Sequence, residues 1–288
     1  MNKMFKFIAA VTVGAMTFTA PAAEGSFDGM SKFVSKSANS LGYVDVAAFR
    51  GNKIMKAGID KVPVPGAAEI SDTAIKLMDV FDAAMLYGNS GANDEIVLLV
   101  YSEKLTDIAS LEVALKAALP EKAGKNMSIA DVDGRKVLKV DGDDGPGFVE
   151  VEPGLFLMDD IDAIAGDLAA EKGLDEQLAA RLAPYAESKA FGVVAVPADE
   201  APFMEYGAVT FDPTGDDGVK FFNTFVLGEG LHVDSVCEVN STMVDKLITH
   251  VLDWYQKSMI SAMQGNAVGQ DQDEDVEEEE VEIDEATE

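Results

Sequence analysis

Alternating hydrophobic and polar positions predict a β-meander in the middle of the chain. Met127–Val132 and Arg135–Val140 flank Asp133-Gly134, a dipeptide that accepts the positive φ angles of a tight hairpin turn. Further apolar strands follow at Phe148–Val151 and Leu155–Met158. These four segments are therefore expected to form consecutive antiparallel strands.

A spacing of three to four residues between apolar positions predicts amphipathic helices on both sides of the meander. The helix that begins at Thr106 and stops at Pro120 carries four apolar residues on one face: Ile108, Leu111, Leu115 and Ala118. The helix that begins at Asp159 or Asp160 has the same pattern, with Ile161, Ile164, Ala165, Leu168 and Ala169. Similar patterns predict helices over Phe27–Leu41 and Leu174–Tyr185.

The second half of the chain repeats the order strand, hairpin, helix. An early hairpin pairs Val80–Tyr87 with Glu95–Tyr101, and a late one pairs Lys220–Leu227 with Leu231–Val239. A predicted helix follows each hairpin, at an offset of about 140 residues. We therefore predict an α+β fold of tandem duplicated antiparallel sheet-plus-helix units, with the helices packed on one face. Two unrelated hairpin–helix units are the alternative.

The predicted organisation has four parts. Residues 1–23 are a signal peptide, 24–173 the first α+β unit, 174–264 the second, and 265–288 a disordered acidic tail. The order of elements resembles a loose class of uncharacterised exported bacterial proteins built from duplicated α+β units. The resemblance is carried by the hairpin–helix units around Gly88 and Gly228 and by the meander with Leu155–Met158. It covers residues 43 to 262 and implies no activity.

Export is predicted from the amino terminus. Lys3 and Lys6 precede an apolar run over Phe7–Phe18, and Ala20-Pro21-Ala22 supplies the small residues of a cleavage site. The run is shorter than the roughly 20 apolar residues that span a bilayer, so no integral membrane span is expected. We therefore predict a periplasmic or extracellular protein.

The large negative charge of the chain limits the classes of partner that it can bind. The chain carries 52 acidic against 22 basic residues, a formal net charge of −30. Such a field repels nucleic acid, whose binding needs clustered Lys and Arg. Residues 271–288 contain 12 acidic residues and no basic one, so the tail is expected to bind divalent cations weakly, or a basic protein.

Motifs for common catalytic and cofactor sites are missing. Gly88-Asn89-Ser90-Gly91-Ala92 lacks the final glycine of a nucleophile elbow, and Gly124-Lys125 lacks the rest of a phosphate-binding loop. No dinucleotide fingerprint or zinc-protease motif is present. We therefore assign no catalytic residue and no cofactor, and we leave a metal site open.

The individual candidate residues favour structural interpretations. His232 is expected on the exposed face of its strand, His250 beside the apolar stripe of its helix, and Cys237 facing the core. The spacing of Asp141, Asp143 and Glu152 matches positions 1, 3 and 12 of a calcium-binding loop. Gly145, however, stands where such a loop has a carboxylate, and Pro146 stands where it has a glycine. An acidic hairpin loop is therefore the simpler interpretation.

Three functional hypotheses follow from this pattern. The first is an exported non-catalytic protein with a binding, scaffold or envelope-associated role. The second is a hydrolase outside the cytoplasm with a carboxylate-based site, which a deep pocket holding two carboxylates would favour. The third is a cation- or basic-partner-binding protein that acts through its acidic tail.

Overall fold

One antiparallel sheet organises the part of the chain that the structure describes. The computed structural model describes residues 25–54, 67–89, 96–132, 134–140, 145–196, 203–243 and 246. The chain divides into two units, Met1–Val244 and Asp245–Glu288, and every element below belongs to the first. The strands are β1 (Ser40–Val44), β2 (Ala83–Gly88), β3 (Ile96–Tyr101), β4 (Ser128–Val132), β5 (Arg135–Lys139), β6 (Pro146–Glu152), β7 (Leu155–Asp160), β8 (Ala190–Ala195), β9 (Met204–Pro213), β10 (Gly218–Leu227) and β11 (Leu231–Asn240).

Six α-helices lie wholly within the described residues. They are α1 (Phe27–Met30), α2 (Ala67–Val80), α3 (Ile108–Ala118), α4 (Glu121–Lys125), α5 (Ile161–Ala169) and α6 (Glu176–Leu182). Short 3-10 turns lie at Ser31–Phe33, Val46–Phe49, Ala183–Tyr185 and Gly228–Gly230. No described helix has the length and apolar character required to cross a membrane.

The strand order is β11-β10-β9-β8-β1-β2-β3-β7-β6-β5-β4. Two meanders, β4–β7 and β8–β11, flank the short strands β1 to β3. The first meander joins through β3, where Leu99 is opposite Leu157. The second joins through β1, where Tyr43 is opposite Phe191. The sheet is therefore continuous from β11 to β4.

Both faces of the central strands are buried. In β3, Leu98 and Val100 belong to the core formed with α2 and α3, whereas Val97 and Leu99 belong to the core on the opposite face, with α1, α5 and α6. Successive side chains of a strand point to opposite faces, so an uninterrupted apolar run such as Ile96–Tyr101 can fill two cores at once. The architecture is therefore helix, sheet, helix in the region of β1 to β7.

The predicted fold class is wrong in this respect. Instead of tandem sheet-plus-helix units with helices on one face, the described residues form one 11-stranded sheet with helices on both faces. The physical reason for the single sheet is the pairing of β1 with β8: a strand of the predicted first unit forms its ladder with a strand of the predicted second unit. Helices cover both faces because the central strands carry apolar side chains on both faces. Isolated units would leave these two strands with unpaired edges.

Most local predictions are confirmed. The hairpin β2–β3, the meander β4–β7 and the hairpin β10–β11 all form. In α3, Asp107 caps the first turn by accepting a hydrogen bond from the Ser110 amide, and all four predicted apolar residues are buried. The predicted helix over Leu174–Tyr185 appears as α6 and the following 3-10 turn.

Two local predictions fail. The helix predicted over Phe27–Leu41 ends by Phe33, because the next residues pair with the segment after α5: Lys36 donates its amide to Glu171 O, and Gly173 donates to Val34 O. Strand β9 was not predicted, although Val209 and Phe211 alternate with Ala208 and Thr210 in the expected way.

The far end of the second meander exposes apolar side chains. Val194, Phe225 and Val233 lie in one cross-strand row, with Gly207 between the first two, and are 54%, 43% and 51% exposed. We assign no binding site to this row, because the adjoining segments 197–202 and 244–245 lie outside the described residues. The predicted signal peptide (1–23), the helix bearing His250 and the tail (265–288) also lie outside them.

Candidate functional site

A groove lies between helix α5 and the hairpin β4–β5 at one edge of the sheet. Its seven lining residues are Val132, Arg135, Val137, Ile164, Ala165, Leu168 and Ala169, and its volume is about 230 Å³. Val137 and Ile164 are buried at its floor, whereas Ala165 and Ala169 are exposed at its rim. The groove therefore offers an apolar surface with one charged side chain.

The hairpin supplies one wall because of its turn. Gly134 adopts a φ of +78°, a conformation that favours glycine, and its amide donates to Asp131 Oδ1 at 2.9 Å. The turn places Val132 directly opposite Arg135 in the ladder. Both residues lie at the end of the outermost two strands, where no further described strand covers them.

Helix α5 supplies the other wall, and a glycine in the sheet lets it approach. A Cβ at Gly147 would lie 2.8 Å from Val137 Cγ1 and 2.9 Å from Ile164 Cδ1, closer than real Cβ contacts. Glycine at this position therefore allows Ile164 to descend onto the sheet beside Val137. Since Ala165 and Ala169 have small side chains, the space beside Leu168 stays open.

Arg135 is the polar feature of the groove. Alternation along β5 places Arg135, Val137 and Lys139 on the face toward α5, and Lys136 and Leu138 on the other face. The Arg135 side chain is exposed, and its guanidinium forms no ion pair with any described carboxylate. Within the part of the chain that the structure describes, Arg135 is thus a cation without an ion-pair partner at the border of an apolar channel.

A carboxyl pair lies near this groove but does not line it. Asp159, at the end of β7, shares a side-chain hydrogen bond with Asp167 of α5, and its Oδ1 accepts the Asp160 amide at 2.7 Å. Asp167 Oδ2 is buried and has no hydrogen-bond partner among the described residues. Nearby, Lys172 Nζ donates to the Asp167 carbonyl oxygen.

The Asp159 carboxyl stays protonated to a higher pH than an ordinary aspartate. Burial raises the pKa of Asp159 to about 7, and the hydrogen bond to Asp167 and the charges of Asp167 and Asp160 act in the same direction. Burial also raises the pKa of the Tyr87 hydroxyl, with the charges of Asp167 and Asp159 adding to the effect. Burial lowers the pKa of Lys172, against the attraction of Asp167.

The candidate residues from the sequence are not brought together. His232 is exposed, as predicted, whereas the prediction that Cys237 faces the core is wrong. Cys237 is exposed because β11 is an edge strand and no described residue covers it there. Asp141 and Asp143 of the calcium-like loop and His250 lie outside the described residues, and Glu152 is exposed at the end of β6.

Two features escaped sequence reasoning although signals for both are present. The alternation Leu155, Leu157, Asp159 ends a buried face on an acid, which indicates a perturbed carboxyl. The alanines at 165 and 169 on the apolar face of α5 indicate a cavity beside larger residues. Neither signal identifies the partner element, which is distant in sequence.

No metal site emerges among the described residues, since no three His, Cys, Asp or Glu side chains converge in a way that could hold an ion. Comparison with protein-family models, with curated proteins and with solved structures found no match. The resemblance to duplicated exported proteins therefore stays a prediction.

Proposed function

We propose that this protein is an exported, non-catalytic binding protein, and that the groove between α5 and the β4–β5 hairpin is its ligand site. The observation that carries the proposal is the lining of the groove: six apolar residues and Arg135. Ligand sites are commonly concave and apolar, with a few polar groups that orient the ligand. A groove of this composition offers affinity and orientation, and its described lining contains no acid, base or nucleophile.

The Asp159–Asp167 pair is the observation that could support the hydrolase hypothesis. Neither carboxyl lines the groove. Asp167 also lies on a different face of α5 from Leu168, because consecutive residues in a helix are rotated by about 100°. A carboxylate mechanism needs both groups beside the bond to be cleaved, so the pair supports a structural role better than a catalytic one.

The proposal that the protein is exported is supported by the sequence of its amino terminus. The order of Lys3 and Lys6, the apolar run and Ala20-Pro21-Ala22 supports a mature protein that begins near Ala23 outside the cytoplasm. Amino-terminal sequencing of the native protein checks this part, and recovery of Met1 in the mature protein would contradict it. Cation or basic-partner binding by residues 265–288 stays a separate prediction.

The groove is tested by filling it. In Ala165→Phe, a ring replaces the small side chain at the rim and occupies the space beside Leu168. Ala163→Phe is the matched control, because Ala163 is also exposed on α5 but does not line the groove. The probe is an uncharged, environment-sensitive naphthylamine dye whose emission rises on transfer from water to an apolar surface.

We expect the unaltered protein and Ala163→Phe to bind the dye equally and saturably, and Ala165→Phe to lose at least tenfold in affinity. A tenfold loss corresponds to about 1.4 kcal/mol, less than the transfer free energy of two methylene groups. Unfolding midpoints of the three proteins are compared to confirm that each is folded. Equal dye binding by both phenylalanine variants would show that the groove is not the site.

A further inference from the structure

The groove is lined by a positively charged residue, whereas the protein as a whole is strongly negative. The chain has a formal net charge of −30, yet β5 carries three cations among five residues, Arg135, Lys136 and Lys139. Arg135 and Lys139 are on the face toward α5, as Val137 is. The lining residues include no acid. The one charged side chain that lines this apolar channel is therefore a cation, on a molecule with a large excess of acidic residues.

Arg135 forms no ion pair with a carboxylate that the structure describes, whereas several other cations do. Lys36 pairs with Glu171 at 2.6 Å, Arg50 with Asp82 at 2.7 Å, and Lys116 with Glu112 at 2.6 Å. The planar fork of donors of its guanidinium matches the geometry of a planar anion such as a carboxylate.

We propose that the groove binds a single-chain amphiphile with an anionic head group, of which an alkyl carboxylate is the simplest example. The inference rests on the proposed function and names the ligand class of that site. The alkyl chain lies against Val137, Ile164 and Leu168, and the carboxylate meets the guanidinium of Arg135. A volume of about 230 Å³ suits one chain of modest length rather than the two chains of a membrane lipid.

The long-range field of the protein opposes the approach of an anionic ligand. A net charge of −30 favours a cationic amphiphile at every surface site that lacks local positive charge. A preference for the anion must therefore come from groups at the groove. Long-range repulsion is screened within about 8–10 Å at ordinary ionic strength, whereas a direct contact with Arg135 is screened much less.

The experiment displaces the uncharged dye with three amphiphiles of equal chain length: decanoate, decanol and decyltrimethylammonium. We expect decanoate to bind most tightly, decanol less tightly and the ammonium least. In a series of alkyl carboxylates, affinity should rise about fourfold per methylene until the groove is filled. Ala165→Phe should weaken all three amphiphiles, because it fills the space for the chain.

The role of Arg135 is isolated by a matched pair of variants. Arg135→Gln should lower decanoate affinity about two- to fivefold and leave decanol unchanged. Lys136→Gln removes the same charge from the adjacent residue on the opposite face of β5, and should leave both affinities unchanged. Binding of decanol reports that each variant keeps an intact groove.

The outcomes separate this inference from the proposed function. Tightest binding of the ammonium, equal binding of all three amphiphiles, or equal losses in Arg135→Gln and Lys136→Gln would overturn the anionic-head inference. If Ala165→Phe still blocks binding in those cases, the groove remains the ligand site. Failure of Ala165→Phe to weaken any amphiphile would overturn both.

Discussion

Asp159→Asn should make the protein more stable at alkaline pH, although it alters a hydrogen-bonded, half-buried residue. Burial and a side-chain hydrogen bond with Asp167 raise the pKa of Asp159, so its protonated carboxyl is favoured in the folded protein, and its Oδ1 accepts the Asp160 amide. Asparagine preserves both interactions, since its amide nitrogen donates and its oxygen accepts. It cannot ionise, so the variant keeps at every pH the arrangement that the unaltered protein loses on deprotonation.

The sign and the size follow from the pKa of Asp159. Folding raises it from an ordinary value of 3.8 to about 7, so the protonated form is favoured in the folded state. The stability that Asp159 contributes is therefore fully present below about pH 4 and is lost as pH rises through about 7. At full burial the difference would be about 4 kcal/mol, but solvent screening at a half-exposed site reduces it to about 1–2 kcal/mol.

Urea unfolding at pH values between 4 and 8.5 measures this effect. We expect the stability difference between Asp159→Asn and the unaltered protein to be near zero at pH 4 and to grow to about 1–2 kcal/mol in favour of the variant at pH 8. Asp162→Asn, an exposed acid on the same helix, is the control and should show no such pH-dependent difference. A difference for Asp159→Asn that stays constant across this range would refute the assignment of the carboxyl pair.

Three further predictions concern the fold that positions the groove, and each is measured as the free energy of unfolding in urea at neutral pH. Gly147→Ala should lower this free energy by about 1–3 kcal/mol, because its Cβ would press against Val137 and Ile164. Gly166→Ala, on the open side of α5, should raise it by about 0.5–1 kcal/mol, and equal effects of the two variants would contradict the close helix–sheet contact. Arg50→Met should cost about 2–4 kcal/mol, since Arg50 donates to Met78 O, Phe81 O and Asp82 Oδ1; a neutral effect would show that this network adds nothing. Phe156→Ala should cost about 3–5 kcal/mol, because Phe156 is completely buried between β3 and β6; a loss below 1 kcal/mol would mean that this core is not formed.

Local chemistry in the sequence determined most of the individual elements. The apolar spacing of Ile108, Leu111 and Leu115 is sufficient for a helix with one buried face, and Asp133-Gly134 is sufficient for a tight turn between two strands. These signals act over a few residues, and each was visible without knowing the rest of the fold. The failure at Phe27–Leu41 arose where long-range pairing outweighed local helix preference.

Only the tertiary structure decided how the elements combine. Val44 is opposite Ala190 although 146 residues separate them, and no local pattern specifies that partner. The same pairing merges the two predicted units into one sheet. Helices of the predicted first unit lie on both faces of this sheet instead of one. The groove has the same origin: Arg135 and Leu168 meet only because β5 and α5 pack on one edge of the sheet over Gly147. A sequence specifies which side chains are apolar or charged through their chemistry, but which of them face each other depends on contacts between distant segments.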